Sequence, residues 1–207
     1  MSVNNLILGI TGNIASGKSA VARMFAAHGA ALVDADHLAR EIVAPGHPVL
    51  QQLVKRFGSE VLCENGELDR ERLGQIIFAD KLAREDLNRI THPAIAKLAI
   101  ERLRQLKTTP GIPLVVYEAP LLFEAGAEGR VDQVLVVKID PAVQLQRLMA
   151  RDGFAETAAR QRIAAQMPQE EKLAGADYVI DNSESLAALQ LRVDELWELL
   201  VSAENSR

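Results

Sequence analysis

Residues 6–34 restrict the fold class more strictly than any other part of the chain. Residues 6–10, "LILGI", form a short apolar run that is typical of a buried strand. From Ser19 onward the apolar side chains follow helical spacing, and "AALVD" at 30–34 is a second apolar run. A strand, loop, helix and strand in this order imply two parallel strands and an α/β fold.

Three later apolar runs, 112–119, 131–139 and 176–182, predict three more strands of the same sheet. Residues 37–107 lack such runs and predict helices divided by turns. We expect "THP" at 91–93 to open one of these helices, with the proline in its first turn. The last predicted helix has an apolar face formed by Leu186, Leu189, Val193, Leu196, Trp197 and Leu200. The sequence therefore predicts five parallel strands, a helical insertion after the second strand and a smaller insertion after the fourth.

The loop between the first strand and the first helix matches the phosphate-binding pattern G-x-x-x-x-G-K-[ST] in full. Its residues are Gly12, Asn13, Ile14, Ala15, Ser16, Gly17, Lys18 and Ser19. The two glycines allow backbone N–H groups to point at phosphate oxygens, and the following helix adds its positive end. Lys18 would reach the β- and γ-phosphates, and Ser19 would bind Mg²⁺. A glycine-rich turn could match by chance, but the strand before and the helix after favour a nucleotide site.

The nucleotide is predicted to be ATP rather than GTP. Guanine recognition by an Asn-Lys-x-Asp element needs the asparagine, and the nearest match, residues 137–140, is Val-Lys-Ile-Asp. Valine cannot make the polar contact, so we interpret this stretch as a strand end followed by a helix-capping aspartate.

Asp34 and Asp36 follow the second predicted strand. Because ligands of parallel sheets bind at the carboxyl ends of the strands, Asp34 should face the same crevice as the γ-phosphate. A carboxylate there can orient a hydroxyl nucleophile and accept its proton. Asp36 could support Mg²⁺ or cap the helix that is predicted from about residue 37.

Arginines follow the fourth predicted strand. Arg147 and Arg151 share one helix face, and Arg160 and Arg162 follow on the next helical piece. Such residues could stabilise a transferring phosphoryl group and belong to a lid that excludes water. A solvated helix face is the other reading of the same pattern.

Composition excludes several function classes. The chain has 207 residues, 48% of them hydrophobic, and a formal net charge of -5. It therefore lacks the excess of positive charge that non-specific nucleic-acid binding needs. No apolar run approaches the length of a membrane span. A single cysteine, Cys63, cannot form an internal disulfide. We expect a cytoplasmic protein without nucleic-acid or membrane partners, and the sequence carries no sign of an oligomeric state.

Several motifs, in order along nearly the whole chain, resemble those of the dephospho-CoA kinase family. They are "GITGNIASGKS" (9–19), "VDADHLAR" (33–40), "PG" (45–46), "FG" (57–58), "GELDR" (66–70), "IF" (77–78), "ITHP" (90–93), "PLLFE" (120–124), "RLMARDG" (147–153) and "ADYVIDN" (176–182). The resemblance implies a P-loop NTPase fold of three α/β/α layers with a five-stranded parallel sheet, a helical CoA-binding insertion and a small helical lid. It implies transfer of the ATP γ-phosphoryl group to the ribose 3′-hydroxyl of dephospho-CoA, the last step of CoA synthesis, with Mg²⁺ as cofactor.

The resemblance also implies a division of the chain and roles for particular residues. The nucleotide-binding core would comprise 1–36, 108–140 and 171–207, the acceptor domain 37–107 and the lid 141–170. Asp34 would be the general base, with Lys18 and Arg147 at the transferring phosphate. The remaining implied contacts are Arg151 and Asn182 with ATP, and His92, Pro120, Leu121, Leu122 and Glu124 with the acceptor. His92 could equally be a structural cap.

Two features of this chain depart from the family pattern. Glycine is usual where Asn13 and Ala15 stand, and Glu118 lies where relatives carry either an acid or an apolar residue. Two other functions remain open at this point. One is a P-loop kinase of a nucleoside monophosphate or sugar acid, against which the size of the helical insertion argues. The other is a nucleotide-binding switch without phosphotransfer.

Overall fold

The computed structural model describes residues 4–205. The five strands are β1 (Ile7–Thr11), β2 (Ala31–Asp34), β3 (Val115–Glu118), β4 (Gln133–Lys138) and β5 (Tyr178–Asp181). The helices are α1 (Lys18–Ala27), α2 (Ala35–Glu41), α3 (Pro48–Phe57), α4 (Arg70–Ala79), α5 (Lys81–Lys107), α6 (Pro141–Asp152), α7 (Glu156–Ala164), α8 (Gln169–Ala174) and α9 (Leu186–Asn205). Each of the five strands overlaps a predicted one, because each is a short apolar run bounded by turns.

All five strands pair in parallel, in the order β2-β3-β1-β4-β5. The α/β class and the five-stranded parallel sheet are thus confirmed. The central strand, β1, is buried along its whole length. It pairs Ile10 with Glu118 of β3 on one side and with Leu135 of β4 on the other. The loop that leaves β1 therefore starts at the middle of the carboxyl edge of the sheet, where ligands of such sheets bind.

One face of the sheet is covered by α1 and α9, which pack against each other and against alternate residues of the strands. The apolar face that was predicted for the last helix is buried from Leu189 onward. Leu186, the first residue of α9, was expected on that face but is 68% exposed. Helix α8 packs against β4.

The chain divides into two compact units. The sheet unit comprises Met1–Asp34 and Leu103–Arg207, and the helical unit comprises Ala35–Arg102. The helical unit has its own apolar core, built from α3, α4 and α5 around Leu53. The segment predicted as a lid, 141–170, contains α6 and α7 and belongs to the sheet unit.

The prediction that a helix starts at residues 91–93 is wrong. Helix α5 begins at Lys81 and continues through Pro93 to Lys107. The residues before the proline are good helix formers, and Ala83 is buried in the core of the helical unit. Packing thus holds the helix through a residue that lacks an N–H group. Helix α2 also begins earlier than expected, at Ala35, so Asp36 lies in its first turn rather than at its cap.

No helix within residues 4–205 is long and apolar enough to cross a membrane.

Candidate active site

The loop between β1 and α1 has a backbone that requires glycine at two positions. Gly12 has φ 149°, and a Cβ atom there would lie 2.5 Å from the carbonyl oxygen of Val137. Gly17 has φ 92°, and its Cβ would lie 2.1 Å from Nδ2 of Asn182. Ala15, with φ 60°, is in the left-handed region without being glycine. Successive residues with such backbone angles are typical of loops whose N–H groups bind an anion.

Lys18 and Ser19 are the first two residues of α1. Nζ of Lys18 donates to the carbonyl of Asn13 at 3.0 Å, and the N–H of Ser16 donates to the same carbonyl at 3.1 Å. The lysine therefore lies across the loop, and only 9% of it is exposed. Oγ of Ser16 is buried without a hydrogen-bond partner within residues 4–205. A hydroxyl of this kind can donate to a phosphate oxygen.

Two strand ends bring carboxylates beside this loop. Strand β3 lies between β2 and β1, and its Glu118 is opposite Asp34 of β2 in the register. Oγ of Ser19 donates to Oε1 of Glu118 at 2.6 Å, and Glu118 is 6% exposed. Asp34 is half-buried at the end of its strand. The structure therefore places both carboxylates at the edge of the sheet that carries the loop. The sequence analysis predicted this position for Asp34 but not for Glu118.

The pair Ser19 and Glu118 suits a magnesium ion. A hydroxyl and a carboxylate are hard oxygen ligands, and Mg²⁺ beside a nucleotide usually takes one or two protein ligands together with phosphate oxygens. Within residues 4–205, no group of three or more His, Cys, Asp or Glu side chains could hold a metal ion by itself. The donor set thus fits a metal that arrives with a nucleotide.

Tyr117 is a further neighbour of Asp34. Burial raises the pKa of the Tyr117 phenol, and the negative charge of Asp34 raises it further, while Arg130 opposes the shift through its charge and a hydrogen bond. The phenol is therefore neutral at physiological pH, and it can take part in hydrogen bonding without adding charge to the crevice.

Asn182, predicted at the adenine, lies directly after β5 and against the loop. Its Nδ2 donates to the carbonyl of Ser16 at 2.8 Å, and the residue is 6% exposed. Arg147 of α6 donates to the carbonyl of Asn182 at 2.8 Å. Arg151 forms two hydrogen bonds with Asp152, at 2.7 and 2.9 Å. The roles of Asn182 at the base and of the two arginines at the phosphates stay predictions.

The segment after β3 carries four residues that were predicted to contact the acceptor. Leu121 is 49% exposed, whereas Leu122 is fully buried and packs toward the sheet at Gly9. Glu124 accepts a hydrogen bond from Lys172 of α8 at 2.7 Å. This contact holds the carboxylate of Glu124 in an ion pair, and the acceptor role of the segment stays a prediction.

The carbonyl of Pro120 is also held from two sides. Nζ of Lys172, a lysine with no exposed surface, donates to it at 3.1 Å, and Oγ1 of Thr11 donates to it at 3.2 Å. The turn that follows β3 is thus fixed to the end of β1 and to α8. His92, the other predicted acceptor contact, is an exposed residue of α5 in the helical unit, and its role also stays a prediction.

Sequence reasoning missed the buried polar contacts of this site. The composition of the helix that contains Lys172 predicts an exposed side chain. In the structure Lys172 is buried and paired with Glu124, which is distant in sequence. Glu118 carried a usable signal, since an acid ends an otherwise apolar strand beside the loop strand. The two glutamines that contact the loop, Gln144 and Gln166, carried no such signal in the sequence.

A glycine-rich loop with a lysine and a serine, set between β1 and α1 of a parallel sheet, defines the class: the chain is a P-loop nucleotide-binding protein. A sequence model of the dephospho-CoA kinase family matches residues 6–188, nearly the whole chain. The chain belongs to the dephospho-CoA kinase family.

Individual relatives agree with this assignment. The dephospho-CoA kinase of Syntrophotalea carbinolica is 57% identical over 95% of this chain and 92% of its own length. That of Geobacter sulfurreducens is 51% identical over 92% of this chain and 96% of its own. The solved structure of the Campylobacter jejuni dephospho-CoA kinase superposes with a TM-score of 0.75 at 29% identity, covering 96% of this chain and 98% of that one.

Proposed function

We propose that this chain transfers the γ-phosphoryl group of ATP to the ribose 3′-hydroxyl of dephospho-CoA, giving CoA and ADP. The observation that carries the proposal is a phosphate loop beside the carboxylate of Asp34, in a member of the dephospho-CoA kinase family. The reaction is the last step of CoA synthesis. Each residue role below is part of this proposal.

Residues 12–19 hold the triphosphate. Backbone N–H groups of the loop and the hydroxyl of Ser16 donate to phosphate oxygens, and Lys18 moves from the Asn13 carbonyl to the β- and γ-phosphates. Ser19 and Glu118 would hold Mg²⁺, since their oxygens already lie 2.6 Å apart. When bound, Mg²⁺ neutralises the charge that develops on the phosphate oxygens.

Asp34 acts as the general base. The 3′-hydroxyl oxygen attacks the γ-phosphorus while the bond from that phosphorus to the ADP oxygen breaks, and the hydroxyl proton passes to Asp34. Lys18 and an arginine of residues 141–170, with Arg147 as the candidate, stabilise the charge of the transferring group. The neutral phenol of Tyr117 limits the number of negative charges next to Asp34.

The acceptor side is assigned to the helical unit and to the turn after β3. A cavity of about 250 Å³ lies wholly within the helical unit and is lined mainly by apolar residues, with Arg70 as its charged member. Dephospho-CoA combines a long, weakly polar arm with phosphates, so it can use an apolar cavity and a cation together. Lys172 keeps Pro120 and Glu124 in place on the sheet unit.

The decisive experiment measures ADP release by the purified chain with ATP and Mg²⁺, in parallel with dephospho-CoA, AMP, CMP, shikimate and gluconate. The expected result is release that depends on dephospho-CoA, with CoA as the product. Turnover with another of these acceptors alone would indicate a different small-molecule kinase. Tight ATP binding without turnover on any acceptor would favour a nucleotide-binding switch.

A further inference from the structure

Two glutamines hold the main chain of Ile14 in the phosphate loop. The N–H of Ile14 donates to Oε1 of Gln166 at 2.7 Å, and its carbonyl accepts from Nε2 of Gln144 at 2.9 Å. These groups belong to the two peptide planes that flank the Cα atom of Ile14. Each plane is thus fixed by one glutamine, which leaves the backbone of this residue little freedom to rotate.

The two glutamines come from opposite ends of residues 141–170. Gln144 is in α6 and is 6% exposed, and Gln166 lies in the connection between α7 and α8. This connection makes a second contact with the loop, because Nδ2 of Asn13 donates to the carbonyl of Met167 at 3.2 Å. The segment predicted as a lid is therefore bonded to the loop at three points.

A loop with this shape needs outside support. Ala15 follows Ile14 directly and has φ 60°, a left-handed conformation that residues with a side chain rarely adopt. A left-handed residue at this point is typical of loops whose N–H groups bind an anion. Holding Ile14 from both sides fixes the backbone immediately before the bend.

A third glutamine, Gln169 at the start of α8, makes main-chain contacts of the same kind away from the loop. Gln169 uses both atoms of its amide on the main chain of Ile139, accepting from the N–H at 2.9 Å and donating to the carbonyl at 3.1 Å. Gln169 thus joins α8 to the residue that follows β4, away from the phosphate loop.

We propose that Gln144 and Gln166 are positioning residues that hold the phosphate loop, through Ile14, in its ATP-binding conformation. Gln144 acts as a hydrogen-bond donor and Gln166 as an acceptor, so each supplies one half of the support. The affinity for ATP is thereby linked to the order of residues 141–170. The inference rests on the proposed function only in taking ATP as the nucleotide.

The test measures the Kd of Mg-ATP by calorimetry, without an acceptor, for Gln144→Met, Gln166→Met and the double variant. Methionine is similar in length and lacks the amide. A buried main-chain group left without its partner should weaken ATP binding roughly tenfold in each single variant. The increase in Kd in the double variant should be much smaller than the product of the two single increases, because the second glutamine cannot hold a residue that the first has released.

Steady-state kinetics give a second readout. The KM for ATP should rise in the single variants while the KM for dephospho-CoA stays within about twofold, because the support acts on the loop alone. A purely structural defect would change both constants or the amount of folded protein. Should Gln144→Met fail to fold, Gln144→Leu removes the same donor and replaces it in the binding experiment.

Gln169→Met is the matched control. It removes the same kind of main-chain contact from the first residue of α8, but at Ile139 rather than in the loop. We expect a lower Tm with a Kd for ATP within threefold of the native chain. Native-like affinity in folded Gln144→Met and Gln166→Met would overturn the proposal, and so would an equal loss in Gln169→Met. Because no acceptor is present, a native chain that fails to phosphorylate dephospho-CoA would refute the proposed function without affecting this result.

Discussion

Replacing Gly17 by alanine tests the geometry of the phosphate loop most directly. The new methyl group would lie 2.1 Å from Nδ2 of Asn182, far inside van der Waals contact, at a residue whose φ is 92°. The Asn182 side chain would have to move, and its hydrogen bond to the carbonyl of Ser16 at 2.8 Å would be lost. The substitution therefore combines backbone strain with the loss of a buried hydrogen bond.

Both contributions can be estimated. A left-handed alanine costs about 1 kcal/mol relative to glycine. A buried carbonyl that loses its partner costs about 1–3 kcal/mol. The sum is about 3 kcal/mol, which lowers the Tm of a chain of this size by about 6–12 °C.

Differential scanning calorimetry of Gly17→Ala beside Gly111→Ala separates the two contributions. Gly111 has φ 78° and lies in the same unit, but a Cβ there meets nothing within 4 Å. Gly111→Ala should therefore show the backbone strain alone, a fall of about 2–4 °C. Equal falls in both variants would refute the reasoning, since the contact with Asn182 would then have no cost.

Three further predictions concern the base, the loop and the dependence of stability on pH. Asp34→Asn should lower kcat by about 10²–10⁴-fold with the Kd for ATP unchanged, and a decrease of less than threefold in a folded variant contradicts its role as base. Ala15→Gly should leave the free energy of unfolding unchanged or raise it by up to about 1 kcal/mol, since it removes left-handed strain; a Tm lower by more than about 3 °C contradicts this. Hydrogen bonds from Gln190 and His28 hold the pKa of Asp194 below its usual range. The stability that this lowered pKa contributes is complete above the unfolded-state pKa, about 3.9, and is lost as the pH falls through the folded-state pKa. Gln190→Met should therefore lose less Tm than the native chain between about pH 5 and pH 2, and equal losses would contradict the assignment.

Much of the fold could be predicted because its determinants are local. A run such as "LILGI" is apolar at every position only where both faces of a strand are covered, and β1 is buried throughout. The phosphate loop could be predicted because backbone angles at Gly12 and Gly17 exclude other residue types. Local signals failed at Pro93, where a sequence rule for helix starts was overridden by packing upstream, around Ala83.

The contacts that complete the site could not be predicted, because they join residues that are far apart in the sequence. Whether Glu118 meets the hydroxyl of Ser19 depends on β3 lying next to β1, and nothing local decides the strand order. A lysine in a polar helix gives no sign that it will be buried, as Lys172 is. A glutamine gives no sign that it will hold a loop more than 100 residues away, as Gln144 does at Ile14.

The sequence by itself therefore determined the strands, the phosphate loop, the acid at the end of β2 and the family, since each depends on residue types at fixed short spacings. Only the tertiary structure decided how that loop is held. The loop is held from three separate parts of the chain. Gln144 and Asn182 donate to main-chain carbonyls of the loop, and Gln166 accepts from a main-chain N–H group of it. The physical reason is that each buried polar group needs a hydrogen-bond partner, and tertiary packing decides which residue supplies it.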